Sequence, residues 1–339
     1  MKSIVQRYTV GVALSIGLAV AAVVLQLVET QVLGQPVIEG IVIAILLGML
    51  VRTFVPLGNQ FAPGISFSAK QVLEFAVVLL GVSIDLPSLL KAGPIMMLSI
   101  IMVVCIGIFA SMQIGRLLGL NQKLAILVAC GNSICGNSAI AAVAPVIGAE
   151  KKDIASSIAL TAVLGVVVVL TLPLLIRVAS LSLYQYGVLA GMTVYAVPQV
   201  IAATYPVSVI SGDVGTLVKL VRVLMLGPVV LFFSLRFRGM TGAANPTSRF
   251  SLNRFVPWFI IGFVALATLR SLGLIPSAVA DPLREVSRYL TVIAMAALGL
   301  GVDIRQLRVV GRPVALAVIG SLAVLLILSL TLIKGFGIA

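Results

Sequence analysis

Apolar stretches long enough to cross a bilayer recur along the whole chain, and this feature constrains its fold more than any other. A spanning helix needs about 20 predominantly apolar residues. Hydrophobic residues make up 61% of the 339 residues and charged residues only 10%, whereas about 45–50% apolar is usual for a soluble domain. The sequence therefore predicts an all-α polytopic membrane protein. The predicted spans, about eleven in number, cover residues 10–28, 36–54, 70–86, 94–117, 123–148, 153–176, 184–204, 213–235, 255–273, 286–304 and 312–333.

The loops between these spans are short, so we expect residues 1–339 to form a single transmembrane domain. Short loops retain Lys and Arg on the cytoplasmic side of a membrane. Fourteen loop cations fall on the side of the amino terminus and seven on the other side. This bias predicts a cytoplasmic amino terminus and, with an odd number of spans, a carboxyl terminus on the opposite side. We therefore attribute the net charge of +13 to the membrane topology and expect no nucleic-acid partner.

Two segments share the spacing Leu-Gly-x3-Asp-x3-Leu-x3-Gly at an offset of 218 residues, beginning at Leu80 and at Leu298. They belong to the third and the tenth predicted spans, which have opposite orientations in the bilayer. The match therefore predicts an inverted repeat of segments 73–118 and 291–333, an arrangement typical of secondary transporters. We interpret the matched Asp85 and Asp303 as helix-end residues at the membrane interface rather than as transport residues.

A doubled Gly-Asn-Ser lies about halfway through the predicted span 123–148. Irregular, amide-rich backbone persists at bilayer depth only where protein or a water-filled cavity satisfies its polar groups. The pattern predicts a broken helix that lines a solute pathway, and close packing through small residues is the alternative. The polar residues concerned are Asn132, Ser133, Asn137 and Ser138.

The predicted span 184–204 also carries polar residues and a proline near its middle. Pro198 removes one backbone donor and disturbs the preceding turn, and Tyr195 and Gln199 lie on either side of it. This pattern predicts a second broken helix. A simple proline kink with Tyr195 at a helix contact explains the pattern equally well.

The predicted span 213–235 contains two cations, Lys219 and Arg222, on one helical face. A charge inside a span costs at least about 2.5–3.5 kcal/mol and usually faces a polar interior. We interpret the pair as pathway residues that neutralise an anionic solute. Two alternatives stay open, namely an ion pair with Glu39 or Glu74 and snorkelling of the side chains to the membrane interface.

Several classes of chemistry lack the residues they need. The chain has no histidine, the commonest metal ligand and proton relay, and it has no phosphate-binding Gly-x4-Gly-Lys-Ser/Thr segment. Cys130 and Cys135 are five residues apart and are interpreted as packing residues. We therefore expect no enzyme activity, no catalytic residue, no metal site and no cofactor.

Three segments together resemble the sulfate exporter family, bacterial inner-membrane proteins of the YeiH type. They are Gly-x-Ser-Ile-Cys-Gly-x-Ser-Ala-Ile at 131–140, Gln199-Val200 and Lys219-Leu220-x-Arg222. The resemblance implies the fold of the cation:proton antiporter and anion-transporter superfamily, with a panel domain, a core domain and two crossing broken helices. Tyr195-Ala196 stand where His-Glu is expected, so no proton relay is carried over.

The sequence and the resemblance together predict a secondary transporter, an exporter of a small anion such as sulfate or an organosulfonate, that works by alternating access in a bacterial inner membrane with a periplasmic carboxyl terminus. The alternative is an anion channel or a membrane-embedded anion sensor. Besides the solute and the lipid bilayer, a homo-oligomeric partner and H+ or Na+ as coupling ion stay open. The predicted binding residues are Asn132, Ser133, Asn137, Ser138, Tyr195, Gln199, Lys219 and Arg222.

Overall fold

The structure, a computed structural model, describes residues 2–33, 40–83, 93–237, 258–303, 305 and 311–338. Within these ranges the chain is helical and forms no strand, and six helices are long and apolar enough to cross a membrane. The prediction of an all-α polytopic membrane protein is confirmed. In chain order the α-helices are α1 (Lys2–Leu33), α2 (Gly40–Phe54), α3 (Ala62–Phe67), α4 (Leu73–Leu80), α5 (Gly93–Leu117), α6 (Gln122–Cys130), α7 (Asn137–Ile147), α8 (Lys151–Thr171), α9 (Leu174–Val178), α10 (Leu183–Thr193), α11 (Val197–Thr204), α12 (Val209–Leu224), α13 (Leu226–Phe237), α14 (Trp258–Ser271), α15 (Ser277–Leu300) and α16 (Arg312–Gly335).

The chain divides into two compact units, the first formed by residues 1–88 and 259–305 and the second by residues 89–258 and 306–339. In the first unit, a π-helical turn at Ser68–Val72 joins α3 to α4. Helices α2 and α15 cross closely because Gly48 of α2 lies against the backbone of α15. The buried Ser287 hydroxyl of α15 donates to the Ala76 carbonyl of α4 at 2.7 Å.

The first unit contains part of the predicted repeat. Asp303 follows the end of α15, and its carboxylate accepts hydrogen bonds from the backbone N–H and the Nε of Arg305 at 2.9 and 3.3 Å. This arrangement agrees with a helix-end role for Asp303. Asp85 lies outside the described residues, as does Glu39, so the repeat stays a prediction.

Four long helical segments form the scaffold of the second unit: α5, α8, α12 with α13, and α16. Helices α5 and α16 are antiparallel, since Gly107 lies next to Leu325 and Gly320 next to Ile114. Helix α12 continues into α13 after Met225, and Val209–Phe237 together have the length of one span. These helices enclose two shorter helical pairs, α6–α7 and α10–α11.

The first pair, α6–α7, is a hairpin that enters and leaves on one side of the unit. The Lys123 Nζ at the start of α6 donates to the Gly148 carbonyl after α7 at 2.7 Å, whereas a straight helix over these residues would separate them by about 38 Å. The Asn121 side chain caps α6 through the Leu124 N–H and also donates to Asp153 at the start of α8. The prediction that residues 123–148 span the membrane is therefore wrong.

The second pair, α10–α11, is a hairpin of the opposite orientation. The Tyr186 hydroxyl near the start of α10 donates to the Ala203 carbonyl near the end of α11 at 2.7 Å. Gly187 lies next to Ser211 of α12 and Gly191 next to Val218, so α10 runs parallel to α12. Residues 184–204 therefore do not span the membrane either, because α11 returns to the side from which α10 started.

The two sides of the second unit are named here by residues found on them. The Lys123 side contains the end of α5, both ends of the α6–α7 hairpin and the start of α16. The Lys334 side contains both ends of the α10–α11 hairpin and the end of α16, where Gln185 Nε2 donates to the Ile338 carbonyl at 2.9 Å. The hairpins thus approach the interior of the unit from opposite sides.

Candidate functional site

The tips of the two hairpins meet inside the second unit. Gly136 forms the first tip with φ +65° and ψ −127°, a conformation that glycine adopts without the steric cost of a side chain. The second tip consists of residues 194–196, of which Val194 and Ala196 are extended. A Cβ atom at Gly136 would lie 3.4 Å from the Cβ of Tyr195. Both breaks fall where the sequence predicted them, and the two hairpins meet at their tips.

Arg222 of α12 joins the two tips through their backbones. The last turn of a helix leaves carbonyl groups without an intrahelical N–H donor. The Arg222 guanidinium binds four such carbonyls: Nε donates to Ser133 at 2.8 Å, Nη2 to Asn132 at 2.6 Å, and Nη1 to Gly191 at 3.0 Å and Val194 at 3.3 Å. Two of these residues belong to the first hairpin and two to the second.

Lys219 makes the same kind of link one turn earlier on α12. Its Nζ donates to the Ile134 carbonyl of the first hairpin at 2.5 Å and to the Val194 carbonyl of the second at 2.8 Å. The side chains of Lys219 and Arg222 are both fully buried. Snorkelling to the membrane interface is therefore wrong as an account of this pair.

Of the alternatives to a solute-binding role, an ion pair with Glu74 is not present, and one with Glu39 concerns a residue outside the described ranges. Among the described residues, neither Lys219 nor Arg222 forms an ion pair with a carboxylate. Their partners are carbonyl groups at the carboxyl-terminal ends of two half-helices, which carry partial negative charge. The pair therefore holds the hairpin tips together, a role that was not predicted from the sequence.

The doubled Gly-Asn-Ser is divided between two faces of the first hairpin. Asn132 and Ser133 are buried in the π-helical turn that follows α6, where Asn132 Nδ2 donates to the Val318 carbonyl of α16 at 3.2 Å and Ser133 Oγ lies against Gly107 of α5. The Oδ1 of Asn132 and the Oγ of Ser133 have no hydrogen-bond partner within the described ranges. These two side chains face the scaffold helices α5 and α16.

Asn137 and Ser138 are exposed at the start of α7, on a different face from Asn132. In this first turn, Ala139 and Ile140 donate their N–H groups to the Gly136 carbonyl at 3.1 and 3.2 Å. The backbone N–H groups of Asn137 and Ser138 have no acceptor in the described part of the chain. An exposed helix start with free N–H groups attracts anions.

Tyr195 and Gln199 of the second hairpin are both buried. The Tyr195 hydroxyl has no hydrogen-bond partner among the residues the structure describes. Gln199 Oε1 accepts from the Ala196 N–H at 3.2 Å and so caps the start of α11. The eight predicted residues are thus all near the tips, but only some of their side chains share a face.

Two residues of α8 near the tips were not predicted. The Thr161 hydroxyl lies 2.9 Å from Asn137 Oδ1, and Gly165 lies directly beneath the Gln199 amide. The only sequence signal for them is a hydroxyl and a glycine four residues apart in an apolar span, a spacing that is common in membrane helices.

The chain is similar to membrane proteins whose names state no activity. The sequence model of the family described as conserved hypothetical protein 698 matches residues 10–317. A UPF0324 membrane protein of Brucella melitensis is 54% identical over 99% of this chain and 93% of its own length. A relative of the same description in Bradyrhizobium diazoefficiens is 53% identical over 96% of this chain and 92% of its own length, and one in Bacillus cereus is 35% identical over 97% and 95%. No solved structure matches the chain.

Proposed function

The chain belongs to the family of conserved hypothetical protein 698, the UPF0324 membrane proteins, and from the geometry of its hairpin tips we propose that it is a secondary transporter of a small anion. The observation that carries this proposal is the exposed start of α7, where the N–H groups of Asn137 and Ser138 lack an acceptor among the described residues. Fixed N–H donors at a half-helix start bind anionic groups of solutes in transporters.

The charges around the tips favour an anion over a cation. Lys219 and Arg222 add two positive charges close to the tips, and no carboxylate within the described ranges pairs with them. The carbonyl groups that would suit a cation are already occupied by these two side chains. A solute that enters here therefore meets N–H donors and a positive potential. Sulfate and organosulfonates are the anions we propose first, by the family resemblance of the sequence.

The paired hairpins support a carrier mechanism. Discontinuous helices that reach a central site from opposite sides are typical of secondary transporters with alternating access. Here the α6–α7 hairpin enters from the Lys123 side and the α10–α11 hairpin from the Lys334 side. A solute bound where the tips meet can be exposed to either side in turn. We propose export as the direction, and no enzyme activity.

The helix-end cations of the second unit support an orientation for this carrier. Among the described residues, six lie on the Lys123 side and two on the Lys334 side, and positive charge is retained in the cytoplasm. We therefore propose that the Lys123 side faces the cytoplasm of a bacterial cell and that the carboxyl terminus is periplasmic. The six are Arg116, Lys123, Lys151, Lys152, Arg236 and Arg312, and the two are Arg177 and Lys334.

A ligand screen on the purified protein tests the proposal. Sulfate, sulfite, thiosulfate, taurine, sulfoacetate and small dicarboxylates are compared with chloride at equal ionic strength, because a ligand that binds only the folded state raises the melting temperature. We expect stabilisation by at least one oxyanion and its loss in Asn137→Ala and Ser138→Ala. Thr171→Ala is the control, since Thr171 is exposed at the far end of α8.

Flux in proteoliposomes then separates the candidate functions. A carrier moves the stabilising anion at a saturable rate that the same variants reduce. Binding without flux would instead favour a membrane-embedded sensor, and currents too large for carrier turnover would favour a channel. If no oxyanion stabilises the protein and none is transported, the proposal is refuted.

A further inference from the structure

The Gln199 side chain is held in one orientation, and only its amide oxygen forms a hydrogen bond within the described residues. It is 3% exposed, and its Oε1 accepts the Ala196 N–H that starts α11. A backbone N–H is always a donor, so the facing atom must be the oxygen and the NH2 group must point away from Ala196. In the described part of the chain, no acceptor binds this NH2 group. Its two N–H donors are therefore available to a ligand that reaches this position.

Helix α8 sets the position of this amide and brings a second amide beside it. The Gln199 amide nitrogen is the atom nearest to a Cβ placed at Gly165, and Cδ and Oε1 would both lie 2.6 Å from that Cβ, so only a residue without a side chain admits the amide there. One turn earlier on the same face of α8, the Thr161 hydroxyl meets Asn137 Oδ1 at 2.9 Å. Positions 161 and 165 are about 6 Å apart along the helix. The amides of Asn137 and Gln199, one from each hairpin, are therefore neighbours.

We propose that Asn137 and Gln199 form an amide pair that donates N–H hydrogen bonds to the oxygen atoms of the transported solute, on the face of α8 between Thr161 and Gly165. The Gln199 oxygen accepts from the Ala196 N–H, and the Asn137 oxygen lies 2.9 Å from the Thr161 hydroxyl, which lies equally close to the Ser157 carbonyl. The unused NH2 group of Gln199, together with the Asn137 amide, favours an oxyanion with at least two acceptor oxygens. The inference rests on the proposed anion transport and assigns its recognition groups.

Gln199→Glu separates the donor role from the capping role. Glutamate has the same shape and is a usual partner of the first backbone N–H in a helix cap, so the contact with Ala196 is kept. The same change replaces the NH2 donor by a carboxylate oxygen. If Gln199 only caps α11, anion binding weakens only through the charge that glutamate adds. If it donates to the solute, binding weakens at least about tenfold, since a hydrogen bond to a charged group is lost and repulsion is added.

Gln185→Glu is the matched control. Gln185 occupies the corresponding position in the cap of α10, where its Oε1 accepts the Ser182 N–H at 3.0 Å. It lies at the base of its hairpin on the Lys334 side, far from the tips. Titrations with sulfate, thiosulfate and taurine, followed by melting temperature and by calorimetry, are expected to give wild-type binding for Gln185→Glu and the predicted loss for Gln199→Glu.

Each outcome decides one of the two proposals. If wild-type protein binds none of the anions of the ligand screen and transports none, the anion-transport proposal fails and this inference fails with it. If wild type and Gln199→Glu bind a probe equally well, the amide pair is refuted while anion transport stands. Should Gln199→Glu fail to fold, Asn137→Asp tests the same pair, because it keeps the oxygen near Thr161 and no helix cap depends on it. Unchanged binding by Asn137→Asp would then overturn the inference.

Discussion

Replacing Arg222 by methionine removes the group that links the two hairpins, and we expect a large loss of stability from this change. Methionine fills much of the same space without any donor. The expected loss differs from that of a broken ion pair, because no described carboxylate is left uncompensated. It comes from the backbone carbonyl groups that the guanidinium now satisfies.

The size of the loss follows from the number of carbonyls left without a donor. Arg222→Met strands those of Asn132, Ser133 and Gly191, while Val194 keeps its bond from Lys219. A buried acceptor without a donor costs about 1–3 kcal/mol, so three cost about 3–9 kcal/mol if they add. That is a large part of a total stability of about 5–15 kcal/mol. Lys219→Met strands only the Ile134 carbonyl and is expected to cost about 1–3 kcal/mol.

Thermal unfolding of detergent-purified variants measures this order. Arg222→Met should express poorly or melt far below wild type, Lys219→Met should melt moderately lower, and Arg116→Met should melt normally because Arg116 is exposed at the end of α5. Arg222→Lys keeps the charge but loses the planar fork that reaches both hairpins, so it should resemble Arg222→Met more than wild type.

Two results would refute this reasoning. The first is an Arg222→Lys protein that melts like wild type, which would mean that charge matters and the backbone bridge does not. The second is rescue of Arg222→Met by Glu74→Gln, which would reveal a buried acidic partner for Arg222. Normal folding of Arg222→Met combined with loss of anion binding would return the residue to the solute pathway.

Two further predictions concern the membrane topology and Gly165, which lies against the Gln199 amide. Single cysteines at Gln122 and Glu150 should both react with a membrane-impermeant thiol reagent only when the cytoplasmic side of the membrane is exposed. Labelling of the two cysteines from opposite sides would contradict the first hairpin. A reporter that matures only in the cytoplasm should give no signal when it is fused to Ala339. Gly165→Ala should displace the Gln199 amide and weaken oxyanion binding in the ligand screen. Gly17→Ala is the control and should leave binding unchanged, because a Cβ at Gly17 meets no atom within 4 Å. Normal binding by Gly165→Ala would contradict the role of Gly165.

The membrane class and the positions of the two helix breaks could be predicted from the sequence, since both depend on local composition. Gly136 and Pro198 mark the breaks because one supports a positive φ and the other lacks an N–H. The reversal of direction at each break could not be read from hydropathy. Residues 123–148 have the summed length of a span whether the two halves continue or turn back.

A signal for the hairpins was nevertheless present in the cations. For the eight helix-end cations in the described part of the second unit, the predicted topology puts five on one side and three on the other. Two hairpins move Lys151, Lys152 and Arg177 across and give six against two. The stronger bias fits the retention of positive charge in the cytoplasm better. Counting cations for alternative topologies would have favoured the observed one.

The site was predicted only in its residue types, because the partners of its side chains are distant in sequence. Arg222 Nη2 binds the carbonyl of Asn132, a residue 90 positions earlier, and no local pattern specifies such a contact. Buried cations in a span predict a partner of opposite charge. Here the partners are helix-end carbonyl groups, which lie next to α12 only in the folded protein. Gly165 acquires its importance in the same way, from the amide that lies against it.

The bridge from α12 also sets an order of events during synthesis. The Ile134 carbonyl leaves the ribosome 85 residues before Lys219, its hydrogen-bond donor, a delay of about 4–17 s at 5–20 residues per second. Helix formation takes about a microsecond, so α6 and α7 form long before their tip has its cations. Until α12 is inserted, the backbone carbonyl groups of the first tip must form hydrogen bonds with water or with the insertion machinery. The nascent chain therefore carries an incomplete hairpin through much of its own translation, and any substitution that delays α12 prolongs that exposure.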